Sequence, residues 1–338
     1  IIPAFKEWSE QGEVGRRKLN QATRYLSIAV AFLQALGISI GFNALTGLGL
    51  IHNPGMVTYV KIAIILTAGT MFVVWLGEMI SVHGIGNGTS LIIFSGIVSR
   101  IPQDVVQFYE TQIVNAGDEK VQAWLFTAGI VIGLILLVLA SIYFENARRN
   151  IPVRYSKRAV SKESATLPLK INSAGVVPVI FASSFMTMPQ IVLGLFAGNY
   201  ANASWYKTVN KIFNIQEPIG AVMYVVLIIL FTFFYAHIQL NPEKTAENLQ
   251  KQNGYIPSVR PGQETVDYIT YMINRLSTVG SLYLALIAIL PVIAGSLWNL
   301  PGLALGGTSL LIVIGVGLDT TAQLEGLLSK HSYQGFIY

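Results

Sequence analysis

Trp124-Leu125-Phe126-Thr127-Ala128-Gly129-Ile130-Val131-Ile132-Gly133-Leu134-Ile135-Leu136-Leu137-Val138-Leu139-Ala140-Ser141-Ile142-Tyr143-Phe144 runs for 21 residues without a charge. Crossing the hydrocarbon core of a bilayer as a helix takes roughly 20 apolar residues, so this stretch alone reads as a membrane span. Similar runs lie on either side of it, giving eight expected spans: Tyr25–Phe42, Val57–Ile80, Gly88–Ile101, Trp124–Phe144, Gly175–Phe196, Ala221–Ile238, Val279–Ala294 and Gly307–Leu328. The third is the weakest, because Arg100 and Pro102 end it early. The seventh extends backwards as an amphipathic helix from Glu264. Composition agrees: 53% of the 338 residues are hydrophobic and 12% are charged, against about 25% charged in a soluble domain. A soluble chain of this size needs more polar surface than that. The expected class is an all-α polytopic membrane protein.

Lysine and arginine set the orientation. Residues 1–24 hold Lys6, Arg16, Arg17, Lys18 and Arg24, and the loop 239–263 holds Lys244, Lys251 and Arg260. The loop 145–170 has seven basic residues against Glu145 and Glu163, a balance of +5. With eight spans these segments share one side with Lys330. The opposite loops carry only Lys120, Lys207 and Lys211, with Lys61 and Arg100 near that face. The basic side is expected to be cytoplasmic, with both ends inside.

Two spans begin alike, Gly88-Thr89-Ser90-Leu91-Ile92-Ile93 and Gly307-Thr308-Ser309-Leu310-Leu311-Ile312, with Gly96 and Gly315 three residues on. By the orientation above they start on opposite sides. Matched short helices of opposite direction are what inverted-repeat membrane proteins contain, with the working site between the halves. A helix start that merely suits an apolar chain reads the same way, and the residues alone leave both readings open. If the repeat holds, Ile93 and Ile312 are partners at similar depth, suited to a constriction that excludes water and ions by dewetting.

Catalytic chemistry is not expected. There is no cysteine, which removes thiol catalysis and zinc–thiolate sites. His52, His83, His237 and His331 have no ligand spacing. The glycine-rich stretch from His83 to Gly88 follows no strand and fits neither nucleotide fingerprint, so it reads as a hairpin between helices. Lys61, Glu78, Asp319 and Glu325 lie within a few turns of span ends, where they snorkel or face water. No cofactor and no metal are expected.

Two uncharged residues carry more. Gln34 lies within the first span and Asn172 at the start of the fifth, where such groups bond to a neighbouring helix, either as fixed glue or as a latch between helices that part. The excess charge of loop 145–170, from Arg148, Arg149, Arg154, Lys157 and Arg158 among others, suits an acidic partner or an RNA backbone. In the second loop, Pro257 and Pro261 flank Arg260 and stiffen its tip, holding out a guanidinium suited to a carboxylate.

The stretches His83 to Gly88, Ile151-Pro152-Val153-Arg154-Tyr155-Ser156-Lys157-Arg158, Leu167-Pro168-Leu169-Lys170-Ile171-Asn172, Asn241 to Asn248, Ile256 to Gly262 and Gly306 to Ile312 together resemble the SecY family. These are central subunits of the bacterial protein translocation channel. The resemblance covers essentially the whole chain but matches only the third to tenth of that family's ten helices. On this reading the first two helices and the plug fall outside the sequence, whose first residue, Ile1, is no natural start.

The resemblance implies a helical bundle whose inverted pseudo-two-fold repeat surrounds an hourglass pore. Residues 1–24 become a cytoplasmic loop, 25–107 the end of the N-terminal half, and 108–338 the C-terminal half with its loops 145–170 and 239–263. It implies a hydrophobic pore ring of Ile93, Ile97, Ile180 and Ile312, and a lateral gate at Gln34 and Asn172. The implied partners are SecE, SecG, the motor ATPase SecA, the ribosome and its RNA, secretory preproteins with their signal sequences, and the lipid of the bacterial cell membrane. Motor and ribosome would dock on Arg148, Arg149, Arg154, Lys157, Arg158 and Arg260. The rival reading is an inverted-repeat secondary transporter. It needs ion- or substrate-coupling groups at mid-membrane, where this chain offers aliphatics and glycines.

Overall fold

Apolar runs of this length satisfy their backbone in lipid by coiling into helices, and the computed structural model is built that way. It describes residues 12–46, 51, 55–113, 120–155, 166–200, 203–297 and 306–334. The long helices are α1 (Gly12–Thr46), α2 (Met56–His83), α3 (Gly88–Gln112), α4 (Lys120–Asn146), α5 (Val177–Tyr200), α7 (Pro218–Gln239), α9 (Gln263–Leu297) and α10 (Gly306–Gln334). Two short ones, α6 (Ser204–Phe213) and α8 (Pro242–Lys251), lie between them. Four short strands complete the order: β1 (Arg148–Pro152), β2 (Arg154–Tyr155), β3 (Thr166–Lys170) and β4 (Gly254–Tyr255).

Among the described residues seven helices are long and apolar enough to cross a membrane, one fewer than the eight runs expected. The difference is α3. Its apolar stretch is diluted by Ser95, Ser99 and Arg100, and the helix runs through Pro102 to Gln112 instead of stopping at Ile101. Proline removes one backbone donor without ending a helix whose neighbouring turns hold. The start of α3 is better marked. Gly86 adopts φ +86°, and the Asn87 side chain accepts from Ser90 N at 3.2 Å, capping the helix. Residues 84–87 form a short non-helical connection between α2 and α3.

The helices group into two compact units. One contains α1, α2, residues 186–200 of α5, and α6. Here α1 packs along α2, and Arg24 pairs with Glu78. A β-carbon on Gly41 would lie 3.1 Å from Gly194 Cα, so α1 and α5 cross at glycines, as helices in lipid do when they pack closely.

The second unit contains α3, α4, the strands, residues 177–185 of α5, and α7 to α10. Its centre is α9, which packs against α4, α7, α8 and α10. Tyr283 of α9 stacks on Phe144 with ring centroids 4.6 Å apart, and its hydroxyl donates to Ser141 O at 3.3 Å. The described parts of the loops 145–170 and 239–263 contain paired strands and a helix. β1 pairs antiparallel with β3, Arg148 opposite Lys170, and β2 pairs with β4, Arg154 opposite Tyr255.

Candidate functional site

Two contacts fix how the segment before α5 lies along α10. Lys170 Nζ is 3.3 Å from Asp319 Oδ1. Val176 Cγ1 sits 2.6 Å from where a β-carbon on Gly315 would stand. Moving forward from Lys170 to Val176 therefore moves backward from Asp319 to Gly315, and the two segments run antiparallel. Ile180 lies about one helical turn beyond Val176, and Ile312 about one turn before Gly315. Ile180 is half-buried and Ile312 is 7% exposed.

The third isoleucine-bearing segment, α3, packs on the same helix. The turn that precedes it meets α10 at Thr320, whose Oγ1 is 3.4 Å from a β-carbon placed on Gly86. Ile97 on α3 is half-buried, and Ile93 is 37% exposed. The four candidate waist residues thus lie on three segments of one unit. The glycines that sequence treated as equals are not equal. A side chain on Gly315 would strike Val176, whereas one on Gly96 would meet nothing within 4 Å.

Asn172 is 2% exposed. Its Nδ2 donates to Glu145 Oε2 at 2.9 Å and to Gly175 O at 3.2 Å, while its Oδ1 has no partner among the described residues. The β1–β3 pairing explains the meeting. Its ladder continues as Ile171 N donates to Ala147 O at 3.0 Å, which brings the residue after Ile171 back to the last turn of α4. Gly280 admits the chain here, since a β-carbon on it would stand 2.9 Å from Ile171 O. Gln34 is exposed on α1, in the other unit. Glu145 is the polar residue that sequence reasoning missed. It was counted as one loop charge among many, yet it is 6% exposed.

The basic residues stand on a small folded platform. Ile151, Val153, Leu169, Ala246, Leu249, Ile256, Ile269 and Ile273 form one buried cluster with Ala174 and Ala236. This cluster joins both loops to the near end of α9. Arg148, Arg149 and Arg154 are exposed on it; Lys157 and Arg158 lie outside the described residues. The Arg260 tip is held by its backbone. Arg260 N donates to Glu264 Oε2 at 3.3 Å, and Thr265 Oγ1 donates to Arg260 O at 2.8 Å. Ser258 at φ +71° and Gly262 at φ +111° bend the chain around it. The guanidinium is left exposed and makes no ion pair among the described residues. Such a surface suits an anionic partner. Among the described residues no group of histidine and acidic side chains could hold a metal ion.

Comparison with known proteins places these features in one family. The SecY profile matches residues 1–321. Protein translocase subunit SecY 1 of Lactobacillus kefiranofaciens subsp. kefiranofaciens is 51% identical over 340 residues, covering 100% of this chain and 79% of its own length. Protein translocase subunit SecY of Bacillus licheniformis is 50% identical over 343 residues, with the same coverage. Among solved structures, one described as a protein conducting channel superposes with a TM-score of 0.64 at 20% identity, over 92% of this chain and 73% of that one. A second, a study of the SecY plug domain, gives 0.63 over 92% and 74%. At that identity the likeness is one of fold.

Proposed function

The chain belongs to the SecY family, and on that premise we propose that it is the channel subunit of a protein translocase, carrying unfolded polypeptides across the bacterial cell membrane and releasing apolar segments sideways into lipid. The observation that supports this mechanism is the antiparallel course of residues 170–176 along α10, with Ile180 and Ile312 each about one turn beyond the Val176–Gly315 contact. In this reading Ile93, Ile97, Ile180 and Ile312 form a waist. Branched aliphatic side chains give translocating polypeptide no fixed partner, so a ring of them seals around any sequence without holding it. Between substrates the same ring excludes ions by dewetting.

Residues 25–107 are read as the end of the N-terminal half and 108–338 as the C-terminal half. Charge distribution supports eight crossings. Arg17, Lys18 and Arg24 share a side with Arg148 and Arg149 only if α3 crosses as well, because α1, α2 and α4 alone make an odd number. An even count puts both basic loops and the two ends of the described chain in the cytoplasm, as the bias of positive charge requires.

The platform is then the docking face. Arg148, Arg149, Arg154, Lys157, Arg158 and Arg260 receive the motor ATPase SecA or the ribosome with its RNA. Asn172 and, on the other unit, Gln34 are the residues assigned to the lateral gate. SecE clamps the halves and SecG lies at the periphery. Motor or ribosome supplies the work, so this subunit needs no cofactor of its own. The test is reconstitution of the whole channel complex in vesicles with motor and ATP. Protease-protected preprotein inside the vesicles is the expected result. Uptake of a labelled small solute without preprotein would turn the reading to a transporter.

A further inference from the structure

The short helix α6 takes no part in the waist or the docking platform. It lies between two spans, and its sequence, Ser204-Trp205-Tyr206-Lys207-Thr208-Val209-Asn210-Lys211-Ile212-Phe213, contains no acid. At 100° per residue its side chains sort onto three faces. Tyr206 and Val209 face the body of the protein: Tyr206 is buried with Leu193 of α5, and Val209 packs on that pair. Gln190 Nε2 donates to Phe213 O at 2.5 Å, which ties the far end of α6 to α5 as well. Lys207 and Lys211, one turn apart, share the second face. Both are exposed and make no ion pair among the described residues. Trp205 and Ile212 lie on the third face, with Trp205 exposed.

Trp205 is also the hub of an aromatic cluster at the end of α5. Its ring centroid is 5.8 Å from Tyr200, 6.5 Å from Phe196 and 6.0 Å from Tyr206. Trp and Tyr collect at the level of lipid headgroups. A helix with an apolar face toward the acyl chains and lysines beside it lies in that plane and is drawn to anionic lipid. The lysines also run against the orientation rule, being two of three basic residues in the loops assigned to the outer side, which calls for a local reason.

We propose that α6 is an interfacial helix that binds anionic phospholipid headgroups through Lys207 and Lys211, with Trp205 set among the upper acyl chains. That the lipid belongs to the outer leaflet rests on the topology given above; the site itself does not. Each lysine near an anionic surface strengthens the association of its segment with that surface by roughly fivefold.

The test uses the complete channel complex in nanodiscs, with Trp205 as the single fluorescent tryptophan. Acyl-brominated phosphatidylglycerol and acyl-brominated phosphatidylcholine are compared as quenchers at equal mole fraction. Stronger quenching by the anionic lipid is expected. It should be lost in the K207Q/K211Q variant and restored in K207R/K211R. Equal quenching by the two lipids, or a preference that survives in the glutamine variant, overturns the headgroup site. No quenching by either lipid overturns the interfacial placement and leaves a protein partner over that face. In parallel, Thr208→Cys is labelled in oriented vesicles by a membrane-impermeant maleimide. Labelling from the cytoplasmic side alone would overturn the outer-leaflet assignment and the topology, while the quenching result would stand by itself.

Discussion

Asn172 Nδ2 donates to Glu145 Oε2 at 2.9 Å, with both residues buried, and so ties the last turn of α4 to the approach of α5. A hydrogen bond to a charged partner contributes about 1.5–3 kcal/mol, and when it is lost the Asn172 amide keeps only Gly175 O as acceptor. Glu145→Ala is therefore expected to destabilise the complex by about 2–3 kcal/mol. Glu145→Gln, which keeps an acceptor, should cost less than about 1 kcal/mol. Thermal unfolding of the purified complex checks this; equal midpoints for the alanine variant and the wild type would remove the bond from the account.

The nearby pair Lys170–Asp319 makes the contrast. Both side chains are largely exposed, and exposed pairs are worth about 0–1 kcal/mol. Asp319→Asn should leave the same thermal midpoint nearly unchanged. A loss as large as that of Glu145→Ala would mean that the pair, and not burial, holds this end of α10.

Gly315 and Gly96 should separate on substitution. Gly315→Ala drives a methyl group into Val176, and overpacking of this kind costs about 1–3 kcal/mol. Because the strain pushes α5 away from α10 beside the waist, ion leak across the resting channel should rise. Gly96→Ala meets open space and should be silent in conductance recordings. Equal leak from the two variants would contradict the register.

Much of this arrangement was legible in the sequence. Uncharged runs long enough to span a bilayer leave a chain little choice but helix, so the spans stood out, and the amphipathic start of α9 fell within one residue of Glu264. The run at α3 misled because proline and arginine usually end a span, whereas here the helix continues through both. What could not be read was pairing across distance. No local signal announces that Arg154 lies opposite Tyr255, or that the charge at Glu145 is buried under Asn172. Both follow from two antiparallel strand pairs, one of them joining residues far apart in sequence, whose strands are too short to carry a periodicity. The glycine repeat was visible, but only the neighbour at Val176 tells Gly315 from Gly96.

Arg260 should matter through its side chain alone, since its backbone is already held by Glu264 and Thr265. Arg260→Glu is expected to cut motor-driven export on the order of tenfold or more, because like charge at a docking contact is costly. Assembly of the complex should be normal. Motor binding to the wild type should weaken as salt rises. Normal export by the variant would move the docking contact elsewhere.

The central claim is that translocating polypeptide passes Ile180. A photo-crosslinking residue at position 180 of the full channel, with a control at Leu136, which is 61% exposed on α4, tests it most directly. A secretory preprotein is stalled halfway across with motor and ATP present. The account predicts ATP-dependent crosslinks to the preprotein from position 180 and none from position 136. A demonstrably stalled preprotein that crosslinks at neither position, or equally at both, would contradict it.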